Sequence, residues 1–220
     1  MSKLVIVDYG SGNLKSAQNA FQRCVKEADL DTEILVSGRV EDVETADRIV
    51  LPGVGAYADC MSGLQAVDGM VDVLHKRVIA EAVPFMGVCV GMQLLASEGR
   101  EKVYTKGLDW IPGVVKHIEP NDPTLKVPHM GWNQLQSVNP HPVLDNIGMG
   151  EDGLHAYFVH SYHFEVADPA HLLATVEYGQ TLTAIIGHNN IVATQFHPEK
   201  SQTLGLKLIS NFLNWKPKEL

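Results

Sequence analysis

The chain has 220 residues, 45% hydrophobic and 20% charged, with a formal net charge of -9 at pH 7. This length can bury a substantial core, and the acidic balance without a Lys/Arg run argues against a nucleic-acid-binding surface. The apolar stretches are shorter than the ~20 residues of a membrane span, and the N-terminal one is too short for a signal peptide. Three cysteines do not make a disulfide framework. We therefore expect a cytoplasmic globular protein.

Strand and helix patterns alternate through the first half of the chain. Apolar runs predict buried strands at residues 4–7, 33–36, 48–51 and 84–89. Apolar residues at helical spacing predict helices at about 13–28, 57–66 and 69–81. This order with short connections predicts a parallel sheet with helices on its faces.

Gly10, Ser11 and Gly12 follow the first strand and precede the first helix, as the start of a dinucleotide-binding fingerprint would. Lys15 occupies the position of the third glycine of that fingerprint. A partial G-x-G is weak evidence, so we do not expect NAD or FAD to bind, and we predict no cofactor.

Residues 85–95 hold the sequence feature with the clearest chemical meaning. The strand that begins after Pro84 stops at Cys89, which lies between Gly87 and Gly91, and an apolar helical pattern begins at once. G-x-C-x-G at a strand-to-helix corner has the layout of a nucleophile elbow. The glycines make room for a tight turn, and a helix N-terminus favours a reactive thiolate. A lone buried cysteine is equally typical of a core, so the nucleophile needs a base and an oxyanion site elsewhere in the chain.

The second half of the chain is predicted to consist mainly of strands. Strand patterns at 113–118, 133–138, 155–160, 172–178, 182–187 and 191–196 are separated by clusters of Gly, Pro, Asn and Asp. A helix is predicted over about 202–214. These elements predict an antiparallel extension of the same domain, with the last helix packing back onto it.

The last strand pattern leads directly into His197, Pro198 and Glu199. Pro198 disfavours helix at His197, and residues i and i+2 of an extended segment point to the same side. Glu199 can then orient the imidazole and stabilise its protonated form, as the third member of a catalytic triad does. Since open α/β sheets place their sites at the carboxyl ends of their strands, we predict a Cys89–His197–Glu199 triad there.

An oxyanion site needs two main-chain N–H groups aimed at one point. Val90, the residue after the nucleophile, provides one candidate. Val54, in the Pro-Gly-Val-Gly segment at residues 52–55, provides the second. Because glycines flank Val54, its peptide can adopt more than one orientation, and our hypothesis is that this donor is switched rather than fixed.

Metal binding and other reactive cysteines are the competing interpretations. His160 and His163 have H-x-x-H spacing, but in one strand they would face opposite sides, and no neighbouring ligand completes a set. We therefore predict no metal site. Cys24 lies on the apolar face of the first predicted helix and is assigned to the core. Cys60, near a helix start, lacks a surrounding motif and is also assigned a structural role.

Beyond these patterns, the motifs around Cys89 and His197 together resemble the class I glutamine amidotransferases. Further motifs at residues 8–13, 52–55, 128–133, 158–162 and 197–201 resemble the branch of that family that supplies ammonia for histidine biosynthesis. The resemblance runs from Met1 to the last helix in order. It implies a single flavodoxin-like α/β domain over residues 1–220, with a mostly parallel central sheet, helices on both faces and an antiparallel extension.

The resemblance also implies the chemistry. Cys89 would attack the side-chain amide of glutamine to give a thioester, and His197 would protonate the leaving ammonia and activate the hydrolytic water. The same resemblance implies which residues would hold the glutamine. They are the Gln93 side chain and the main chain around Gly55, Ser161 and Tyr162.

A partner is implied as well. The ammonia would pass to a (β/α)₈ synthase/cyclase subunit of the HisF type, which converts PRFAR to imidazole glycerol phosphate and AICAR in a lyase-type heterodimeric complex. The positions that match the partner-facing surface are Asn13, Met130, Trp132, Asn133 and Lys200. Residues 52–55 match a strand whose flip is thought to couple ligand binding on the partner to glutaminase activity.

Three other interpretations remain at this point. The chain could serve another synthase, such as one that forms pyridoxal phosphate or anthranilate, although the motif at residues 128–133 argues against this. A non-catalytic scaffold is disfavoured by the intact Cys89, His197 and Glu199. A cysteine protease acting alone is disfavoured by the agreement with the family along the whole chain.

Overall fold

The computed structural model describes residues 1–217, and each of its first four strands is followed by helical structure. The strands are β1 (Ser2–Val7), β2 (Thr32–Ser37), β3 (Arg48–Gly53), β4 (Phe85–Cys89), β5 (Glu98–Gly99), β6 (Thr105–Lys106), β7 (Gly113–His117), β8 (His129–Gln134), β9 (Gln136–Ser137), β10 (His155–His160), β11 (Tyr162–Val166), β12 (Leu172–Glu177), β13 (Thr181–His188) and β14 (Ile191–Thr194). The helices are α1 (Leu14–Glu27), α2 (Val40–Glu44), α3 (Tyr57–Ala66), α4 (Met70–His75), α5 (Val90–Gln93) and α6 (Gln202–Asn214).

The main sheet has the strand order β2-β1-β3-β4-β14-β13-β12-β9. Its members from β2 to β14 pair in parallel, and the pairs formed by β13, β12 and β9 are antiparallel. Fully buried apolar runs such as Leu4–Val7 explain the parallel part, because strands covered on both faces need no alternation of polar and apolar residues. The predicted mostly parallel sheet with an antiparallel extension is confirmed.

Helix packing follows the apolar faces expected from the sequence. Helix α1 packs against α6, and Phe21 meets Phe212 edge to face with ring centroids 6.4 Å apart. Helix α3 packs against α4 and α5. Within residues 1–217, no helix combines the length and apolar character that a membrane crossing requires.

Part of the second half leaves the main sheet. Strands β8 and β10 pair with each other, and β11, β7, β5 and β6 form a third sheet. The strands predicted after residue 107 therefore extend the same domain, but only some of them join the main sheet. The single strand predicted at 133–138 is in fact two strands. The first, β8, begins earlier, at His129, and the short β9 follows it.

Helix α5 is shorter than its apolar pattern indicated. It ends at Gln93, although Leu94 and Leu95 are fully buried. The Leu94 carbonyl accepts a hydrogen bond from the Leu108 N–H, and the Leu95 carbonyl accepts from the N–H groups of Trp110 and Ile111. These partners lie in a distant segment, so the carbonyls that would continue the helix ladder are already used.

Candidate active site

Cys89 is the last residue of β4 and adopts a strained backbone conformation, with φ 57° and ψ -114°. A side chain at Gly91 would place its Cβ 1.9 Å from the Leu51 carbonyl oxygen, and one at Gly87 would place it 2.8 Å from the Gly91 oxygen. Both positions therefore require glycine for steric reasons. The tight strand-to-helix turn predicted for a nucleophile elbow is present, and strain of this kind clusters at functional sites.

The helix that follows Cys89 contributes less than the sequence indicated. Because α5 has only four residues, its aligned peptide dipoles are few, and the electrostatic support for a thiolate is smaller than a long helix would give. Val90 nevertheless occupies the first helical position, where a backbone N–H has no acceptor within the helix.

His197 and Glu199 form a buried ion-pair geometry beside this elbow. The His197 Nδ1 lies 2.8 Å from the Glu199 Oε1, and both side chains are only 3% exposed. The strand expected to run to residue 196 ends at Thr194, and Glu199 lies in a 3₁₀ turn, Pro198–Lys200, rather than in an extended segment. The contact was predicted, but the turn, not the i, i+2 alternation of a strand, brings the two groups together.

The parallel register places the triad candidates at one edge of the sheet. Gly53 is the register partner of Cys89 across β3 and β4, and Thr194 is the partner of Val88 across β14 and β4. The carboxyl ends of three neighbouring strands therefore meet beside Cys89. This is the edge at which open α/β sheets carry their sites.

The environment of His197 favours its protonated form. Burial alone would lower the pKa of His197, but the hydrogen bonds and negative charges of Cys89 and Glu199 outweigh burial and raise the pKa to about 10. The imidazole is thus held as a proton donor at neutral pH. Its Nδ1–H faces the Glu199 carboxylate, which fixes the ring orientation.

The Val54 peptide is held away from the role predicted for it. Its N–H donates to the Ser11 hydroxyl over 3.1 Å, and its carbonyl accepts from that hydroxyl over 2.7 Å and from the Cys60 thiol over 3.2 Å. An N–H that is engaged by Ser11 is not free to meet an oxyanion. Cys60, which was assigned a structural role, is the second side chain that holds the main chain of Val54, through the carbonyl of the following peptide.

A cavity of about 340 Å³ opens beside Cys89. The predicted residues that it brings together are Val54, Gly55, Cys89, Val90, Gln93, Ser161, Tyr162 and His197. It is also lined by residues that the sequence interpretation did not assign to the site, Glu101, Pro128, Val159 and His160. Among its lining residues in the described range 1–217, Glu101 is the one acidic side chain.

The side chains of Gln93 and Gln195 form a row of polar contacts that runs from the Tyr162 carbonyl to the Cys89 sulfur. The Gln93 Nε2 donates to the Tyr162 carbonyl over 3.0 Å and to the Gln195 Oε1 over 2.9 Å. The Gln195 Nε2 in turn lies 3.9 Å from the Cys89 sulfur. Gln195 was missed in the sequence, although its position two residues before His197 in an extended segment placed it on the same side.

Two of the residues matched to a partner surface, Trp132 and Lys200, contact the same aromatic ring. Met130 and Trp132 are 66% and 47% exposed, and Trp132 contacts Tyr157 edge to face with centroids 5.6 Å apart. The Lys200 ammonium lies over the same Tyr157 ring. The other two members are directed inward, since the amide of Asn13 donates to Glu199 over 3.4 Å and that of Asn133 donates to the Glu177 carbonyl over 2.9 Å.

The histidines do not gather into a metal-ligand cluster. Across the described range 1–217, no three His, Cys, Asp or Glu side chains lie closely enough together to hold an ion. His160 and His163, the H-x-x-H pair, lie in separate strands, β10 and β11.

Comparison with known proteins matches this geometry to a family. A model of the family "Glutamine amidotransferase class-I" matches residues 5–215. The chain is 54% identical to the imidazole glycerol phosphate synthase subunit HisH of Agrobacterium fabrum (strain C58), over 98% of this chain and 100% of that protein. It is 56% identical to the subunit of the same name from Rhodospirillum rubrum, again over 98% and 100%.

Solved structures give the same fold at lower sequence identity. One described as a glutamine amidotransferase superposes with a TM-score of 0.69 at 19% identity, covering 96% of this chain and 97% of that one. Another, described as a glutamine amidotransferase from Thermotoga maritima, gives a TM-score of 0.66 at 14% identity, covering 97% and 96%. At these identities the likeness concerns the fold alone.

Proposed function

The chain belongs to the class-I glutamine amidotransferase family, and we propose that it is the glutaminase subunit of an imidazole glycerol phosphate synthase. The proposal rests above all on one observation: Cys89, His197 and Gln93 share a single cavity, with Glu199 behind His197 at 2.8 Å. The two HisH relatives, matched over their whole length, point to the same reaction, which supplies ammonia in histidine biosynthesis.

The reaction follows from the groups at the cavity. The Cys89 sulfur attacks the side-chain amide carbon of glutamine, and the carbon–nitrogen bond breaks as His197 donates a proton to the departing ammonia. The raised pKa of His197 suits this first step, because the imidazole begins protonated. Neutral after that transfer, His197 accepts a proton from the water that hydrolyses the thioester, and glutamate leaves.

Glutamine has an ammonium group and a carboxylate that the cavity must recognise. We assign the ammonium to Glu101, whose carboxylate lines the cavity and is oriented by a 2.8 Å hydrogen bond from the Tyr57 N–H. Gly55, Gln93, Ser161 and Tyr162 line the remainder of the same cavity. They complete the proposed substrate site.

The oxyanion site in this proposal combines the N–H groups of Val90 and Val54. Since the Val54 N–H is bonded to Ser11, the site is complete only after that peptide reorients. Removal of one oxyanion donor typically lowers turnover by about 10²–10³. The chain on its own is therefore a weak glutaminase, and its partner raises the activity.

The partner in this proposal is a (β/α)₈ synthase/cyclase subunit of the HisF type, bound as a heterodimer in the cytoplasm. The exposed Met130 and Trp132, together with Lys200 over Tyr157, form an apolar and cationic patch. Aromatic residues and methionine are enriched in the cores of protein interfaces. Ammonia released at Cys89 passes to that subunit.

The test is a glutaminase assay of the complex. We expect Cys89→Ala to lower glutamine-dependent synthesis by at least about 10⁴-fold, while synthesis from added ammonium salts persists because the partner performs that step. Cys24→Ala, which removes a thiol outside the cavity, is the matched control. Glutamine hydrolysis that survived in Cys89→Ala would show that the nucleophile is assigned wrongly.

A further inference from the structure

A buried row of polar groups crosses from β8 to the glutamine site without any role in the reaction above. The Asn133 Nδ2 lies 3.3 Å from the His129 Nε2, and the His129 Nδ1 lies 3.0 Å from the His160 Nε2. The His160 Nδ1 lies 2.9 Å from the Tyr162 carbonyl oxygen. His129 and His160 are 2% and 6% exposed.

The groups at the two ends of this row, the Tyr162 carbonyl and the Asn133 amide, determine which atom donates and which accepts in each of its hydrogen bonds. A carbonyl oxygen only accepts, so His160 carries its proton on Nδ1 and offers Nε2 as an acceptor. His129 must then donate from Nδ1, which leaves its own Nε2 to accept from the Asn133 amide. The Asn133 oxygen, for its part, accepts from the Gln134 N–H over 2.8 Å. One consistent arrangement satisfies all the groups.

Both imidazoles are kept neutral, as this arrangement requires. Burial lowers the pKa of His129 to about 4 and that of His160 to about 3. The His129 ring is stacked between Phe158 and Tyr178, with centroids 4.7 Å and 4.1 Å away. A protonated ring would have two donors and could not accept from Asn133.

The row ends on the atom that also holds Gln93. The Tyr162 carbonyl accepts from the Gln93 Nε2 as well as from His160. His160, Tyr162 and Gln93 all line the cavity. A shift of this carbonyl would therefore move both the strand end and the glutamine side chain that face the substrate.

We propose that His129 is a positioning residue for substrate glutamine: through His160 it fixes the Tyr162 carbonyl and thereby the Gln93 amide. This inference depends on the proposed glutaminase function. His129 itself does not line the cavity, and it acts entirely through its neighbours. Loss of the row displaces the substrate site and leaves Cys89, His197 and Glu199 in place.

The first test compares two substitutions in the complex with its partner. His129→Phe keeps a stacked ring but removes both nitrogens, and a buried acceptor left unpaired typically weakens a site by a factor of roughly ten. We expect KM for glutamine to rise roughly tenfold, with kcat within about twofold, because an interaction made equally in ground and transition states is lost. His129→Gln, which has both a donor and an acceptor, restores KM.

The control is His155→Phe, the same substitution at an exposed position of β10. Alkylation of Cys89 by iodoacetamide, followed by peptide mass spectrometry, shows whether the nucleophile is unaffected in each variant. An unchanged KM in His129→Phe overturns the proposal. A raised KM that His129→Gln does not restore also overturns it, since packing alone would then explain the effect.

A second measurement uses the unmodified chain and so does not depend on how the variants fold. Nitrogen-15 NMR of the imidazoles reports which ring nitrogen carries the proton. We expect the Nδ1–H form for both His129 and His160. An Nε2–H form at His160 overturns the proposal whatever the kinetics show. Failure of the proposed function is separately visible, because the wild-type complex would then not hydrolyse glutamine at all.

Discussion

The groups on the two sides of Cys89 differ in whether they already have the arrangement that the proposed reaction needs. On one side the His197–Glu199 pair is buried and bonded at 2.8 Å. On the other side the Val54 N–H is bonded to Ser11, and the Val54 carbonyl accepts from Cys60, so this N–H is not presented to the nucleophile. The proton-transfer groups are thus assembled in the folded chain, while the oxyanion donor is not. In the proposed function, control of the reaction therefore belongs to this main-chain segment rather than to the triad.

The physical reason lies in how each side is anchored. The His197 N–H donates to the Tyr157 carbonyl over 3.1 Å, and the Ser201 hydroxyl donates to the His197 carbonyl over 2.7 Å. Both main-chain polar groups of His197 are therefore held by hydrogen bonds. Val54 is 41% exposed and precedes Gly55, whose φ of 96° is accessible to glycine at little strain. The Val54 side chain therefore does not anchor this segment in the core.

Glu199→Gln breaks the completed side and has the largest expected effect after the loss of Cys89 itself. Loss of the carboxylate removes the orientation and charge stabilisation of the imidazolium, and we expect kcat for glutamine to fall by about 10³–10⁴-fold. Steady-state assays of the complex measure it. Glu27→Gln, the same substitution at an exposed carboxylate of α1 that pairs with Arg23, is the matched control. A loss of less than about tenfold would contradict the role of Glu199.

The same variant has a pH signature in stability. The folded-state pKa of His197, about 10, lies above the ordinary value, so the pair stabilises the fold fully below about pH 6.5 and progressively less as the pH rises towards 10. We expect the difference in unfolding free energy between wild type and Glu199→Gln to shrink over that window. Urea denaturation at several pH values checks the trend, and a difference that grew with pH would contradict it.

Glu101→Gln tests substrate binding, because Glu101 belongs neither to the His197–Glu199 pair nor to the oxyanion site. The neutral amide loses its attraction for the glutamine ammonium, and we expect KM to rise roughly tenfold to a hundredfold with kcat nearly unchanged. Glu98→Gln, a nearby carboxylate that pairs with Arg100, is the matched control. A fall in kcat at constant KM would place Glu101 in the chemistry and would overturn our assignment.

Ser11→Ala tests the incomplete side and has the smallest expected effect. Removing the hydroxyl takes away about 1 kcal/mol that holds the Val54 peptide, which corresponds to a rise of about fivefold in the basal glutaminase activity of the isolated chain. Ser210→Ala, on α6, serves as the control. An unchanged or lower basal rate would show that Ser11 does not restrain the oxyanion donor.

The proposed reacting groups were predicted from local sequence signals alone. The two glycines around Cys89 and the His-Pro-Glu segment needed no knowledge of distant contacts, because each motif lies within a few residues. The predicted bounds of α3 (57–66) and α6 (202–214) were confirmed. Their apolar faces are read from neighbouring turns of one helix.

The features that the sequence did not reveal depend on contacts between remote segments. Helix α5 does not continue past Gln93 because residues 108–111 bond the carbonyls of Leu94 and Leu95. The row through His129 and His160 exists because β8 and β10 pair in a register that sets these two residues opposite each other. Glu101 reaches the cavity from a loop whose path no periodicity describes. Strand register and loop course are tertiary properties, so propensity gives no hint of them.

The neighbour relation of β4 and β14 has a consequence for the order of folding. The two strands pair in parallel, yet residues 90–190 lie between them in the chain. Closing so long a segment adds little to the equilibrium cost, which grows only with the logarithm of its length, but such non-local pairings form slowly. During synthesis, Cys89 emerges long before His197 does. In the proposed function, a partly made chain therefore has a thiol without its base, and we expect hydrolysis of glutamine to begin only when the fifth parallel strand has joined the sheet.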